Sequence, residues 1–180
     1  SEYPLEDYGV TYRKFAPGYE TYSKIGIYQR NIHDFDEDPI LEGTLLPGQC
    51  MGCHTANATS PDQFLFHIRG KHGATVVQTE GNRKWLETKT DSTIAKAVYS
   101  YWHPSGDYVA HSNNKINQLF WTGNNERYVE VYDDVSDVIV HDVRNDQYIL
   151  SPLLMTEDFE TYPAFSRDGK TLFFCSAPKV

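Results

Sequence analysis

Cys50, Cys53 and His54 stand in the run Gln49-Cys50-Met51-Gly52-Cys53-His54-Thr55, a C-x-x-C-H motif. Two thiols three positions apart reach the two vinyl groups of one haem and form thioethers. The His directly after the second Cys is then carried under the iron as its proximal ligand. The same residues also allow a redox dithiol, a structural Cys50–Cys53 disulfide, or half of a zinc site. Zinc needs two further ligands at suitable spacing, and no second C-x-x-C is present. A thioredoxin-type dithiol sits between a strand and a helix. Here the motif follows the turn-like Leu45-Leu46-Pro47-Gly48 and precedes a polar loop over Thr55–Asp62.

The iron's sixth position separates electron transfer from ligand binding or catalysis. Seven His are present: His33, His54, His67, His72, His103, His111 and His141. His67 is the first candidate, thirteen residues past His54, with Phe64, Phe66 and Ile68 to cover a porphyrin. A plain surface His67 stays open beside that reading. His72 in its Gly-flanked loop is the next candidate, and Met155 is the one Met outside the motif loop. Met51 lies inside the loop and cannot fold back over the iron. His103 reads as a turn residue and His111 as a core or rim residue of a strand. Arg69 or Lys71 could pair with a haem propionate.

The elements that must position these groups read as mainly β. Ser1–Tyr19 is coil or an edge segment, and Tyr22–Ile32 alternates as a strand. His33–Asp38 is acidic but lacks the Gly and closing Glu of an EF-hand, so it reads as a solvated turn. Phe64, Leu65 and Ile68 after Ser60-Pro61-Asp62 match helical spacing and predict a short helix over Pro61–Gly70. Short strands follow at Thr75–Thr79, Lys84–Thr88, Ala97–Trp102, Tyr108–Ser112, Tyr128–Tyr132, Asp137–Asp142, Tyr148–Leu150 and Thr171–Ser176. Their spacing indicates a sandwich, barrel or propeller. An internal repeat selects among these. Residues Tyr99–Ser112 (YSYWHPSGDYVAHS) align with Tyr162–Cys175 (YPAFSRDGKTLFFC) at a constant offset of 63. Each copy is an aromatic strand, a Ser-Gly or Asp-Gly turn, and an apolar return strand. With Ser136–Asp142 and Tyr148–Leu150 as outer strands, the first copy makes a four-stranded blade.

Composition narrows the function classes. The chain has 180 residues, about one domain, with 14 % aromatics and thirteen Tyr. A formal charge of −9 argues against nucleic acid, which demands clustered Lys and Arg, and permits a basic redox partner. No apolar run reaches the roughly 18 residues of a membrane helix. No signal peptide is visible, and Ser1 reads as the start of a trimmed chain. Cys175 in Leu172-Phe173-Phe174-Cys175 reads as a buried free thiol. The sequence holds no G-x-S-x-G, P-loop or G-x-G-x-x-G. The cluster Asp133, Asp134, Asp137 and Asp142 reads as a solvated blade edge.

The stretches YPAFSRDGKTLFFCSA and YWHPSGDYVAHS resemble the WD40-like repeat of TolB-type β-propellers. The C-x-x-C-H segment followed by FHIRGKHGAT and YWHPSGDYVAHS resembles Bacteroidetes periplasmic proteins in which a haem-attachment motif precedes such blades. That resemblance implies three segments. Residues 1–47 form an N-terminal strand and coil, 48–74 a short helical or loop haem-attachment segment, and 75–180 propeller-like blades. At about 40–50 residues per blade, 180 residues make at most four, which implies an incomplete propeller belonging to a longer chain. The expected cofactor is one covalent haem c on Cys50, Cys53 and His54, with His67 as second axial ligand. The expected role is electron transfer or redox sensing at a periplasmic or other extracytoplasmic address, lipoproteins included, with a redox protein as partner. The alternatives are a propeller-type interaction or ligand-binding scaffold without functional haem, and a haem peroxidase-like enzyme with an open sixth position.

Overall fold

The computed structural model describes residues 9–15, 25–45, 49–58, 60, 62–70, 72–121 and 128–179. They form thirteen strands: β1 (Gly9–Lys14), β2 (Gly26–Asn31), β3 (Asp38–Glu42), β4 (Cys50–Ala56), β5 (Phe64–Arg69), β6 (Ala74–Thr79), β7 (Asn82–Leu86), β8 (Ala97–Trp102), β9 (Tyr108–Trp121), β10 (Tyr128–Asp142), β11 (Gln147–Ile149), β12 (Phe159–Phe165) and β13 (Leu172–Ala177). Every pairing is antiparallel between sequence neighbours. The sheets are β1-β2-β3, β4-β5-β6-β7, β8-β9-β10-β11 and β12-β13. Such meanders need only short connections, and the Gly, Asn and Asp punctuation of the sequence supplies them.

The sheets stack face on face in chain order. Ile27 of the first sheet and Ile25 just before its β2 pack on Met51, Phe64, Phe66, Ile68 and Val76 of the second. From its other face the second sheet sends Leu65, Val77 and Leu86 against Trp102 and Val109 of the third. The fourth sheet lies against the third through the contacts of β12 with β8, β9 and β10. Consecutive meanders packed in this way are blade-like, and among the described residues they do not close a ring.

The helix expected over Pro61–Gly70 is absent: Phe64–Arg69 is the strand β5. A strand covered on both faces is apolar at consecutive positions and loses its period-2 signature. Phe64, Phe66 and Ile68 go to the first core and Leu65 to the second, so helical spacing arose by coincidence. The motif itself is also extended, as β4, and is no helical or loop insertion. The second sheet draws β4, β5 and the first residue of β6 from residues 48–74 and the rest of β6 and β7 from residues 75–180. Tyr128–Tyr132 and Asp137–Asp142 are parts of one strand, whose register shifts between Asp133 and Val135. The expected four-stranded unit after Ala97 is present as β8 to β11.

A third copy of the repeat lies in the motif. The first strands of the last three sheets each break register at the same point, between Gly52 and Thr55, Val98 and Tyr101, and Thr161 and Ala164. Within each break one non-glycine residue is left-handed: Cys53 at φ 51°, Tyr99 at φ 44° and Tyr162 at φ 53°. The turns that follow match as well. Asn57, His103 and Ser166 donate their backbone N–H to the carbonyls of Gln63, Tyr108 and Thr171. Gly106 at φ 77° and Gly169 at φ 71° occupy the last two turns, where a β-carbon would be strained. Cys53 is therefore the bulge residue of a blade's first strand.

Candidate functional site

The bulge brings a basic layer onto the motif. Arg13 of β1 directs Nη2 at the Cys50 sulfur, 3.7 Å away, and Arg69 of β5 directs Nη2 at the Cys53 sulfur, 3.3 Å away. Both cysteines are free thiols of intermediate exposure. Gly52 between them leaves room for Arg13: a β-carbon there would meet Nη1 at 3.3 Å. Tyr99, the bulge residue of the next sheet, stands 4.7 Å from Tyr162, centroid to centroid. Burial chiefly, with Tyr162 and Cys53 adding to it and Arg69 opposing, raises the Tyr99 phenol's pKa.

His54 turns toward the first sheet. Its Nε2–H donates to the Thr11 carbonyl at 3.2 Å, and its ring lies 6.2 Å from that of Phe64. Burial lowers its pKa, with Thr11 pulling upward and Arg13 adding to the fall. The imidazole is therefore neutral, which is the ligating form.

The structure does not bring His67 to this group. On β5, Phe64, Phe66 and Ile68 face the first core, so His67 and Leu65 face the third sheet. His54, beside Phe64, lies on the opposite face. Both ring nitrogens of His67 are in use, Nδ1 with Thr75 Oγ1 at 2.8 Å and Nε2 with Ser100 Oγ at 2.8 Å. Full burial brings its pKa down to about 3. His72 is exposed in a turn, where its backbone N–H donates to Gln49 Oε1 at 3.2 Å. His67 and His72 have H-x4-H spacing, yet one is buried on a strand and the other exposed, and the described residues contain no cluster of three metal-ligating side chains. Met155 lies in the segment between β11 and β12. Met51 is fully buried in the first core. Lys71 lies outside the described residues. Cys175 is exposed in sheet four and not buried.

His103 and His111 take the places expected of them. His103 Nδ1 bonds Ser105 Oγ at 2.8 Å inside its turn, and Nε2–H donates to the Gly169 carbonyl at 3.1 Å in the next hairpin. His111 is a fully buried strand residue, with Nδ1 2.6 Å from Ser100 Oγ. Ser100 is the residue after the Tyr99 bulge, as His54 is the residue after Cys53. Sequence reading missed Arg13, the partner of Cys50, because a long-range strand contact leaves no local signal.

No family model matches the chain, and no curated protein sequence matches it. A search of solved structures returns a chain from a structural and mechanistic analysis of two prolyl endopeptidases, at TM-score 0.52 and 14 % identity. The match covers 97 % of this chain and 27 % of that one, so the chain spans about a quarter of the matched protein's length. That protein has a β-propeller domain, and the likeness supports a β-rich, propeller-like fold for this chain.

Proposed function

We propose that the chain is an extracytoplasmic c-type haem protein whose attachment motif is built into the first strand of a TolB-like blade, serving electron transfer or redox sensing. The observation that carries this reading is the set of donors on β4 and the cations beside them. It comprises two free thiols, a neutral imidazole, and the guanidinium groups of Arg13 and Arg69 within hydrogen-bond reach of the sulfurs. These residues fit haem c in kind. Cys50 and Cys53 would hold the vinyl carbons and His54 the iron, with Arg13 and Arg69 as cations beside the thioether edge. Bound there, haem supplies one-electron exchange. The protein's own part is to set polarity and charge around the group. Arg13 and Arg69 add positive charge beside it, which favours the electron-rich form. Two contacts have to change: the His54 Nε2–H must leave the Thr11 carbonyl before that nitrogen can ligate, and Cys53 must leave Arg69, on the face of β5 that carries His67, to join His54.

The contact between His54 and Thr11 favours a second reading, a propeller-type interaction scaffold in which the motif is a dithiol. A pyridine haemochrome spectrum with intact mass separates the two, on protein made in a periplasm together with haem-maturation machinery. A mass gain of one haem that survives acid extraction and vanishes in Cys50→Ala/Cys53→Ala supports the first reading. Absence of haem under those conditions refutes it and leaves the scaffold. Carbon monoxide or cyanide then tests for an open sixth position, which a peroxidase-like activity requires.

A further inference from the structure

His111 on β9 and His141 on β10 share one face of the third sheet. They sit diagonally across a pair in which His111 faces Ile139 and Val109 faces His141. Their ring centroids are 6.2 Å apart, and the residues are 0 % and 1 % exposed. One nitrogen of each ring is held by an oxygen. His111 Nδ1 lies 2.6 Å from Ser100 Oγ, and His141 Nε2 lies 3.2 Å from Asp146 Oδ1. The remaining nitrogens, His111 Nε2 and His141 Nδ1, are buried and have no partner among the described residues. Leaving two such atoms unmatched costs about 1–3 kcal/mol each, so a guest shared by both is expected.

The hydrogen bonds fix what the guest meets at His141 and leave two arrangements at His111. A carboxylate only accepts, so His141 carries its proton on Nε2 and presents a lone pair at Nδ1. Ser100 has one hydroxyl hydrogen for two histidines, His67 at 2.8 Å and His111 at 2.6 Å. When it donates to His67 Nε2, the proton of His67 is on Nδ1 and donates to Thr75 Oγ1, while His111 Nδ1–H donates to Ser100. His111 then also presents a lone pair, at Nε2. The reverse order, with Ser100 donating to His111 Nδ1, puts a proton on Nε2, so a cationic guest selects the first arrangement. Its Nδ1 is turned to Ser100 on β8, which flanks β9 on one side. Its Nε2 therefore points away from β8, the side on which β10 lies.

We propose that His111 Nε2 and His141 Nδ1 hold one copper(I) ion in two-coordinate, near-linear geometry between the second and third sheets. The number of donors selects the ion. Zinc takes four ligands, and a buried water makes two to four hydrogen bonds, about three on average, of which this site offers two, whereas copper(I) is fully satisfied by two nitrogens in line. With metal–nitrogen bonds of about 2.0 Å, two in-line imidazoles have centroids about 6 Å apart, which is the spacing observed. Each ligand also has the oxygen partner that metal-bound imidazoles use to fix their tautomer, Ser100 for one ring and Asp146 for the other. The Asp146 carboxylate is shared with Lys84 Nζ, 2.6 Å from its other oxygen, so its part is to hold the His141 tautomer.

The test uses the chain with Cys50→Ser, Cys53→Ser and Cys175→Ser, so that thiols do not take the metal. Copper(I) is titrated anaerobically against a bicinchoninate competitor, and the bound ion is examined by X-ray absorption. The expected result is one ion per chain with two nitrogen neighbours and the edge feature of linear copper(I), absent in His111→Leu/His141→Leu. Asp146→Asn changes an exposed turn residue whose left-handed backbone Asn tolerates. It should weaken binding 10- to 100-fold with an unchanged circular dichroism spectrum, so the proposal stays testable if the double variant fails to fold. Failure to retain copper against the competitor, or retention unaffected by Asp146→Asn, overturns the proposal.

Discussion

Replacing His67 with Leu tests where that residue works. Its side chain is 2 % exposed, and it bridges Thr75 Oγ1 on β6 to Ser100 Oγ on β8, both at 2.8 Å. Leu is close in volume, so the cavity cost is small. Ser100 keeps His111 as a partner, whereas the Thr75 hydroxyl, 1 % exposed, loses the one side-chain partner described for it. An orphaned buried hydroxyl costs about 1–3 kcal/mol and each lost hydrogen bond about 1 kcal/mol net. Added leucine burial offsets part of this, and the expected destabilisation of His67→Leu is about 2–4 kcal/mol. In His67→Leu/Thr75→Val the orphan is gone, so the double variant should be more stable than the single one by about 1–3 kcal/mol. Urea unfolding at pH 7.5 with matched slopes measures both. On haem-loaded protein, neither variant should alter the optical spectrum. Unchanged stability in His67→Leu, or a low-spin to high-spin change in its spectrum, would refute the reasoning and restore His67 as an iron ligand.

Three further outcomes are expected. Burial depresses the folded-state pKa values of His67, to about 3, and of His111 and His141, so the folded chain binds fewer protons than the unfolded one. Stability is full above the unfolded value of 6.5 and falls as pH drops toward 3, by up to about 1.4 kcal/mol per pH unit for each such histidine. Urea midpoints measured from pH 7.5 to 4.5 should show the fall, and a flat profile would count against neutral burial. At the bulge, Cys53 holds φ 51°, so Cys53→Gly should exceed Cys53→Ala in stability by about 1 kcal/mol, as read by urea unfolding of the haem-free chain. Haem ligation should also remove the His54 Nε2–H proton, because that nitrogen must release the Thr11 carbonyl to ligate. A ring N–H signal of His54 persisting in NMR spectra of the reduced, loaded protein would show that His54 never leaves.

Local chemistry is written in the order of residues, and that much was legible. The C-x-x-C-H spacing, the β-rich class and the repeat joining Tyr99 to Tyr162 can each be read within a short window, because thioether reach, strand preference and turn geometry are local properties. The earlier copy of the repeat was not legible. Cys53 shares a left-handed bulge with Tyr99 and Tyr162 but no side-chain type with them, so only backbone geometry shows their equivalence. β5 passed for a helix because its residues are buried on both faces, and burial depends on sheets formed by distant residues. The same cause decided the histidines. A step of one residue along a strand reverses the face, and register with β4 and β6 sent His67 toward Ser100 and His111, away from His54. Spacing in the chain placed His67 thirteen residues from the motif, while the pairing of strands put a whole sheet between their side chains.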